Sequence, residues 1–399
     1  MPSKFSYVLF WLALSFVTFN CIRLLYQNAY KVPVRLSKFN ASQNTTKEVI
    51  RFKDMELKQS LEFKVHGLSR TCKTYFSSSL KENLNLLLRM KTDKITENYL
   101  YDLGFPHRTK KVEDLEIPGY VRRTIKSNIP TIVCAASSNH FAELQALFLH
   151  IDTKIRRYFP NIQVVFYDIG LNEQERNLIL NYGKVKMRRF DFNRFPPHFR
   201  ILHLCSWKPV IIQELLREVG FVMYMDTSLR PNPSQLKEYF TLSESTGHLF
   251  RAHPATPKYP FTIPTNTFFG TFEYFMVPPC LFHDIPEIES GYMILRSNNI
   301  ISLLIMRSWL TCALQERCIM PLGAENRTAC SQSNMDYHNC HREDQSALGI
   351  PVLLIYHQTN NIPLLPWSSF VTKRGESSKY LLNNVSRSKM KLIKTNKRT

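Results

Sequence analysis

Between Ile129 and Val371 the chain alternates short apolar runs with stretches of helical spacing, and this alternation restricts its fold more than any other feature of its 399 residues. Such alternation builds βαβ units around a mostly parallel sheet. Thr131 to Ala136 reads as a buried strand. The polar turn Ser137, Ser138, Asn139 and His140 follows, and then a Leu- and Ala-rich helix through Ile151. Ile162 to Tyr167 reads as a second strand ending at Asp168, Leu171 to Asn181 as a helix, and Lys184 to Phe190 as a third strand. Pro209 to Val219 is a further helix, with Pro in its first turn and Gly220 just past its end. Phe221 to Met225 then forms a fourth strand and delivers Asp226 at its carboxyl end. Open α/β sheets bind ligands at that edge, and a polar turn before a helix N-terminus favours anions. Ser137 and Asn139 are therefore expected in a ligand site together with Asp226.

The N-terminus decides the compartment. Phe5 to Ile22 carries no charge, with Lys4 before it and Arg23 after it. At helical rise these residues span about 27 Å, close to the hydrocarbon thickness of a bilayer. The run exceeds the h-region of a cleaved signal peptide, and no clean small-x-small site follows, so an uncleaved anchor is expected over residues 5–26. Arg23, Lys31, Arg35 and Lys38 follow the anchor and argue against a lumenal body. Opposing them are four glycosylation sequons at Asn40, Asn44, Asn326 and Asn384, and eight cysteines beyond Cys21, an even number suited to an oxidising lumen. The expected topology is single-pass type II, in the Golgi or endoplasmic reticulum. It gives a cytosolic tail (1–4), anchor (5–26), lumenal stem with helical collar (27–126), catalytic domain (127–371) and basic flexible tail (372–399). The amphipathic stretch Leu80 to Met90 is the helical part of the collar.

The formal charge of +20 invites a nucleic-acid reading. Much of it sits in the tail, where nine Lys or Arg from Lys373 onward face the single Glu376. No nucleic-acid partner is expected; acidic glycans, anionic headgroups and nucleotide diphosphates are the functional alternatives to a merely solvated charge.

Four segments in this order carry a resemblance: Ser206-Trp207-Lys208-Pro209, then Tyr224-Met225-Asp226-Thr227-Ser228, Glu289-Ser290-Gly291-Tyr292-Met293 and Glu343-Asp344-Gln345-Ser346-Ala347-Leu348. Over roughly Pro130 to Trp367 the chain resembles nucleotide-sugar transferases of the GT-A type. More closely, it resembles a nematode-rich animal family known as domain of unknown function 1647. The resemblance implies an α/β fold with a GT-A-like single mixed sheet and a Rossmann-like N-terminal half. It also implies a nucleotide-sugar donor and a glycan or glycoprotein acceptor. GT-A enzymes usually end the fourth strand with Asp-x-Asp, whose carboxylates hold Mn²⁺ or Mg²⁺ against the donor diphosphate. Here the second position is Ser228, so the candidate metal ligands are Asp226, Ser228 and, remotely, His357. Asp226 alternatively holds the donor ribose, with Lys208, Arg230 or Arg251 offsetting the diphosphate charge.

The same resemblance places Asp344 and Gln345 beside the sugar or acceptor, Asp344 as a base and Gln345 as a hydrogen-bonding partner. Glu289 is a second base candidate, next to the close backbone approach that Gly291 permits. Trp207 and Lys208 are expected to line the donor pocket. Each has a plain alternative: Asp226 as a turn residue, Asp344 as a helix cap, Glu289 as an exposed loop carboxylate, Trp207 as core. The aromatic run Phe268, Phe269, Phe272, Tyr274 and Phe275 is expected to pack beneath a loop rather than stack a sugar. Cys312, Cys318, Cys330 and Cys340 are too widely spaced for the usual zinc pairs, so two disulfides are expected, with the pairing open. The sequence holds no G-x-S-x-G elbow and no G-x-x-x-x-G-K-[ST] loop, which removes two common α/β enzyme classes. Two functions remain: a glycosyltransferase, and a catalytically inactive glycan-binding or matrix-interaction protein on the same fold.

Overall fold

The computed structural model describes residues 79–106, 111–112, 127–253, 261–282, 285–326, 330, 340–356 and 363–384. All of them lie in the compact unit Phe52–Thr399. The anchor at 5–26 and most of the stem fall outside the described residues, and no described helix is long and apolar enough to cross a membrane.

Helices α1 (Leu80–Leu88) and α2 (Lys94–Asp102) come first, capped by Ser79 and Asp93, whose side chains accept from backbone N–H groups of the first turn. The sheet begins with β1 (Thr131–Ala136), buried at every position, and passes through α3 (Phe141–His150) to β2 (Val164–Asp168). A five-residue π-helical turn, Ile151–Ile155, extends α3. Helix α4 (Glu173–Tyr182) opens with a capping box between Asn172 and Glu175 and ends at Gly183, whose φ of +68° suits glycine. The edge strand β3 (Lys186–Arg189) has no fully buried residue. Helix α5 (Trp207–Val219) leads to β4 (Phe221–Met225), and β5 (Leu229–Pro231) follows closely. Next come α6 (Leu236–Thr246), β6 (His248–Ala252), α7 (Phe269–Phe275), β7 (Ile288–Arg296), α8 (Ile300–Leu314), α9 (Glu316–Ile319), α10 (Glu343–Tyr356) and β8 (Phe370–Thr372).

The main sheet is six-stranded, in the order β3-β2-β1-β4-β7-β6. β3, β2, β1 and β4 run parallel, β7 runs antiparallel to β4, and β6 antiparallel to β7. This is the mixed sheet with a Rossmann-like N-terminal half expected of the GT-A type, and a two-stranded pair, β5 with β8, lies outside it. One apolar layer carries α1, α5, α8 and α10, with Leu215, Trp309 and Leu353 all fully buried. The opposite layer carries α3, α4 and α6, with Phe148, Ile179 and Leu236. Strand order reverses between β1 and β4, and an open sheet of this kind leaves a crevice outside the carboxyl ends of those two strands.

Two local differences matter for the site. Helix α5 starts at Trp207, two residues before the expected Pro209, because proline is tolerated in a first turn where its missing N–H has no partner to lose. Lys208 is thereby fixed on the first turn of a buried helix. Residues 372–384, which the sequence reading gives to the basic tail, are ordered on the body. Beyond β8, Lys373 N–H donates to Ser228 O at 2.7 Å and Ser378 N–H to Ala142 O at 3.1 Å, and Leu381 is buried in the second layer.

Candidate functional site

The crevice at the carboxyl ends of β1 and β4 holds a cleft of about 490 Å³, and Asn139, Trp207, Lys208, Asp226 and Ser228 are among its walls. Asp226 leaves β4 with its N–H donating to Gly291 O at 2.9 Å. The Tyr224 hydroxyl donates to Asp226 Oδ1 at 2.6 Å. Gly291 matters for a spatial reason: a Cβ there would stand 2.8 Å from Asp226 Oδ2, so a side chain would displace the carboxylate.

Lys208 joins the two aspartates that the sequence separates. Its Nζ lies 2.6 Å from Asp344 Oδ2, 3.6 Å from Asp226 Oδ1 and 3.4 Å from Ser290 Oγ. Burial alone would push this ammonium down, yet the Asp226 and Asp344 carboxylates carry it above its ordinary range. Asp344 is thus turned to the lysine rather than spent as a helix cap. Its backbone carbonyl accepts from Trp309 Nε1 at 2.9 Å, which fixes the first turn of α10 against α8. Upstream of α10, buried His341 accepts the Phe268 N–H at Nδ1, and its Nε2 lies 2.9 Å from Ile319 O. The disulfides Cys312–Cys318 and Cys330–Cys340 brace the same region, and Cys134 and Cys205 are free thiols.

The segment after β8 closes one side of the cleft, where Arg374, Gly375, Glu376 and Ser377 line it. Gly375 N–H donates to Glu143 Oε2 at 2.9 Å, and the Thr227 hydroxyl donates to the other Glu143 oxygen. Arg230 is spent on this closure, with Nε on Glu376 Oε2 at 2.9 Å and Nη1 on Thr227 O at 2.6 Å. Arg230 therefore does not face the cleft. Arg374 does, and it is exposed.

A second polar group stands beside this cleft on β6 and β7. Glu289 and Arg251 are register partners, with Glu289 Oε2 at 3.2 Å from Arg251 Nε and Oε1 at 3.4 Å from His253 Nε2. Burial pushes the Glu289 carboxyl up to about 7 in spite of Arg251, and Asp226 lies close enough to add to that rise. Gln345 does not reach the cleft wall; it turns with Asn266 toward the fully buried Glu287, whose carboxyl burial also raises.

The described residues offer a divalent metal little beyond Asp226. A hard cation at a donor diphosphate is held by one or two carboxylates, with water and phosphate oxygens filling the rest of its shell. Here Asp226 Oδ1 is already engaged by Tyr224 and faces Lys208, and Ser228 brings a hydroxyl where a second carboxylate would stand. Among the described residues no three His, Cys, Asp or Glu side chains gather at one point, and His357 lies outside those residues.

Of the sequence candidates, Asn139, Trp207, Lys208, Asp226 and Ser228 line one cleft. Ser137 donates to Asn139 Oδ1 at 2.5 Å just behind it, and Asp344 joins through Lys208. Trp207 also serves the core reading, since it is 6% exposed and donates to Leu202 O at 3.2 Å. Phe272 and Phe275 of the aromatic run are buried, as packing required, while Phe269 is half exposed. Sequence reasoning missed Arg374, Glu143 and Trp367. No local pattern marks them, because each acquires its place only when the C-terminal segment returns to β5.

Comparison with solved structures finds bacterial, fungal and mouse glycosyltransferases. The chain is similar to the apo WbbM bifunctional glycosyltransferase at 12% identity and a TM-score of 0.37, over 61% of this chain and 40% of that one, so it spans less than half of WbbM. It is also similar to core-mannan synthase A from Aspergillus fumigatus, in its Mn/GDP form, at 9% identity and a TM-score of 0.35, over 66% and 82% of the two chains. A third is the mannosyltransferase Ktr4p from S. cerevisiae in complex with GDP, at 8% identity and a TM-score of 0.36, over 71% and 83%. No curated protein sequence matches the chain. A family model does match residues 98–213, from within α2 through β1, β2 and β3 into α5; it is the model described as Protein of unknown function (DUF1647).

Proposed function

We propose that the protein transfers a sugar from a nucleotide-sugar donor to a glycan or protein acceptor. One observation carries this reading: the buried Lys208 ammonium links Asp226 and Asp344 at the floor of a cleft that opens at the strand-order reversal. In this reading the nucleoside lies against the β1–α3 turn at Asn139, and Asp226, 40% exposed, accepts a ribose or sugar hydroxyl at Oδ2. Lys208 and Arg374 face the diphosphate. Fixed cations of this kind stabilise charge that develops on a leaving group without reorganisation. The bond from the anomeric carbon to the diphosphate oxygen breaks and its electron pair leaves with the nucleoside diphosphate. A bond from the acceptor oxygen to that carbon forms, and the acceptor proton passes to a base. Glu289 is the better base, because Asp344 is held by Lys208 whereas burial leaves Glu289 poised near neutrality.

The sign of the pH dependence follows. Glu289 acts when deprotonated, so kcat/KM rises with pH through about 7 and levels above it. Glu289→Gln should remove that inflection and lower the rate by about 10²–10⁴-fold, the usual share of a general base. A pH–rate profile of the two proteins checks both effects.

The disulfides Cys312–Cys318 and Cys330–Cys340 and the sequons support a body in an oxidising lumen, behind a type II anchor at residues 5–26. Ser228 at the position of a second carboxylate favours the alternative, an inactive glycan-binding protein of the same fold. Calorimetric titration with UDP and GDP tests the donor half of the proposal. Binding that weakens about tenfold or more in Asp226→Asn, as loss of a charged hydrogen-bond acceptor predicts, supports it. A folded protein that binds neither nucleotide contradicts it.

A further inference from the structure

The side chains around Glu289 hold more charge than donor binding uses. Arg251 is only 3% exposed, and its guanidinium lies 3.5 Å from the Trp367 ring centre and 3.8 Å from that of Phe370. Among the described residues its Nη1 has no hydrogen-bond partner. An arginine stacked between aromatic rings keeps its full charge in a fixed plane. Trp367 roofs this cation and is itself 50% exposed, so part of a rigid aromatic surface beside Glu289 is offered to solvent. His253 sits under the same roof, 5.9 Å from Trp367. Burial and then Arg342, Arg251 and Arg374 hold its imidazole neutral, down at about 3, so three guanidinium groups converge on this point. Facing them are Glu287 and Glu289, each within ion-pair distance of these cations or of His253. Three guanidinium groups against two carboxylates leave the balance at this surface positive even with both ionised. Arg342 is a quarter exposed, and Arg374 lines the donor cleft as well, which joins the two surfaces.

We propose that the acceptor is an acidic glycan, with one sugar ring resting on Trp367 and its carboxylate or sulfate held by Arg342. This rests on the transferase reading and names the acceptor class for it. The apolar face of a pyranose covers an indole well, and the planar fork of arginine matches a carboxylate or sulfate with two parallel hydrogen bonds. Arg251 supplies a fixed positive field from beneath, and Glu289 lies at the junction with the donor cleft.

The test uses the full-length chain and sets of oligosaccharides identical except for one substituent: hydroxymethyl, carboxylate or sulfate. UDP and GDP binding is measured in parallel. The acidic members should bind about tenfold or more tightly than the neutral one, the value of one charge-assisted contact. Arg342→Gln should bring the members within about threefold of each other, because the charge contact is gone and the stacking remains. Trp367→Ala should weaken all members together and Trp367→Phe should restore most of the binding, with nucleotide binding unchanged in both. Which acidic member binds identifies carboxylate or sulfate as the recognised group. Equal or tighter binding of the neutral member overturns the inference. So does absence of glycan binding while nucleotide still binds, which leaves the transferase reading standing. Loss of nucleotide binding in the folded wild type removes that reading as well.

Discussion

Replacing Lys208 with Met is expected to destabilise the domain by about 3–5 kcal/mol, the cost of breaking a buried ion pair from one side. The lysine and Asp344 side chains are 4% and 10% exposed, so water does not replace the lost ammonium. Methionine fills similar volume, and the loss therefore reads out charge rather than packing. The penalty belongs to the orphaned carboxylate, so Lys208→Met combined with Asp344→Asn should recover a large part of it. Urea denaturation of the single and double variants measures both quantities. A single variant as stable as the wild type would show that the aspartates do not depend on this lysine, and the electrostatic account of the cleft would fail.

Gly291→Ala is expected to act on turnover far more than on stability. The added methyl stands 2.8 Å from Asp226 Oδ2, and the nearest other atoms, Asp226 Cγ and Leu229 Cδ1, are at 3.5 Å. The carboxylate is the atom group free to yield, since Tyr224 and Lys208 hold its other oxygen only by hydrogen bond and charge. Displacing a positioned group by about 1 Å costs roughly 10²-fold in rate, whereas a single extra methyl in a packed site costs about 1–3 kcal/mol. Donor turnover and a denaturation curve separate the two effects. Wild-type turnover in Gly291→Ala would mean that the position of Asp226 is not set by this contact.

The parallel half of the fold was legible because buried parallel strands are written as continuous apolar runs. Thr131–Ala136 and Phe221–Met225 carry no polar alternation beyond their first residue, and both strands have the bounds that pattern implies. Asp226 was legible for the same reason, as the first polar residue past a strand that can end only at the ligand edge. The antiparallel β6–β7 half was not. His248 and Arg251 interrupt β6 with polar side chains whose burial depends on partners elsewhere, Ser302 for the histidine and Trp367 for the arginine. Asp344 was legible as a first-turn carboxylate, but nothing in its own segment tells that it points at Lys208 rather than at its own backbone. The C-terminal wall was hidden by composition. The basic residues after Lys373 suggest a solvated tail, yet Tyr380 donates to Asp152 Oδ2 at 2.7 Å and Leu381 N–H to Gln145 Oε1 at 3.0 Å, which binds the segment across α3.

The central claim is that the cleft at Asp226 turns over a nucleotide sugar. The measurement that bears on it most directly is release of nucleoside diphosphate from a panel of UDP- and GDP-sugars by wild type and Asp226→Ala. The account predicts turnover of at least one donor by the wild type and its loss in the variant, with both proteins folded. Turnover that survives Asp226→Ala, or a folded wild type that turns over none of the panel, would contradict it.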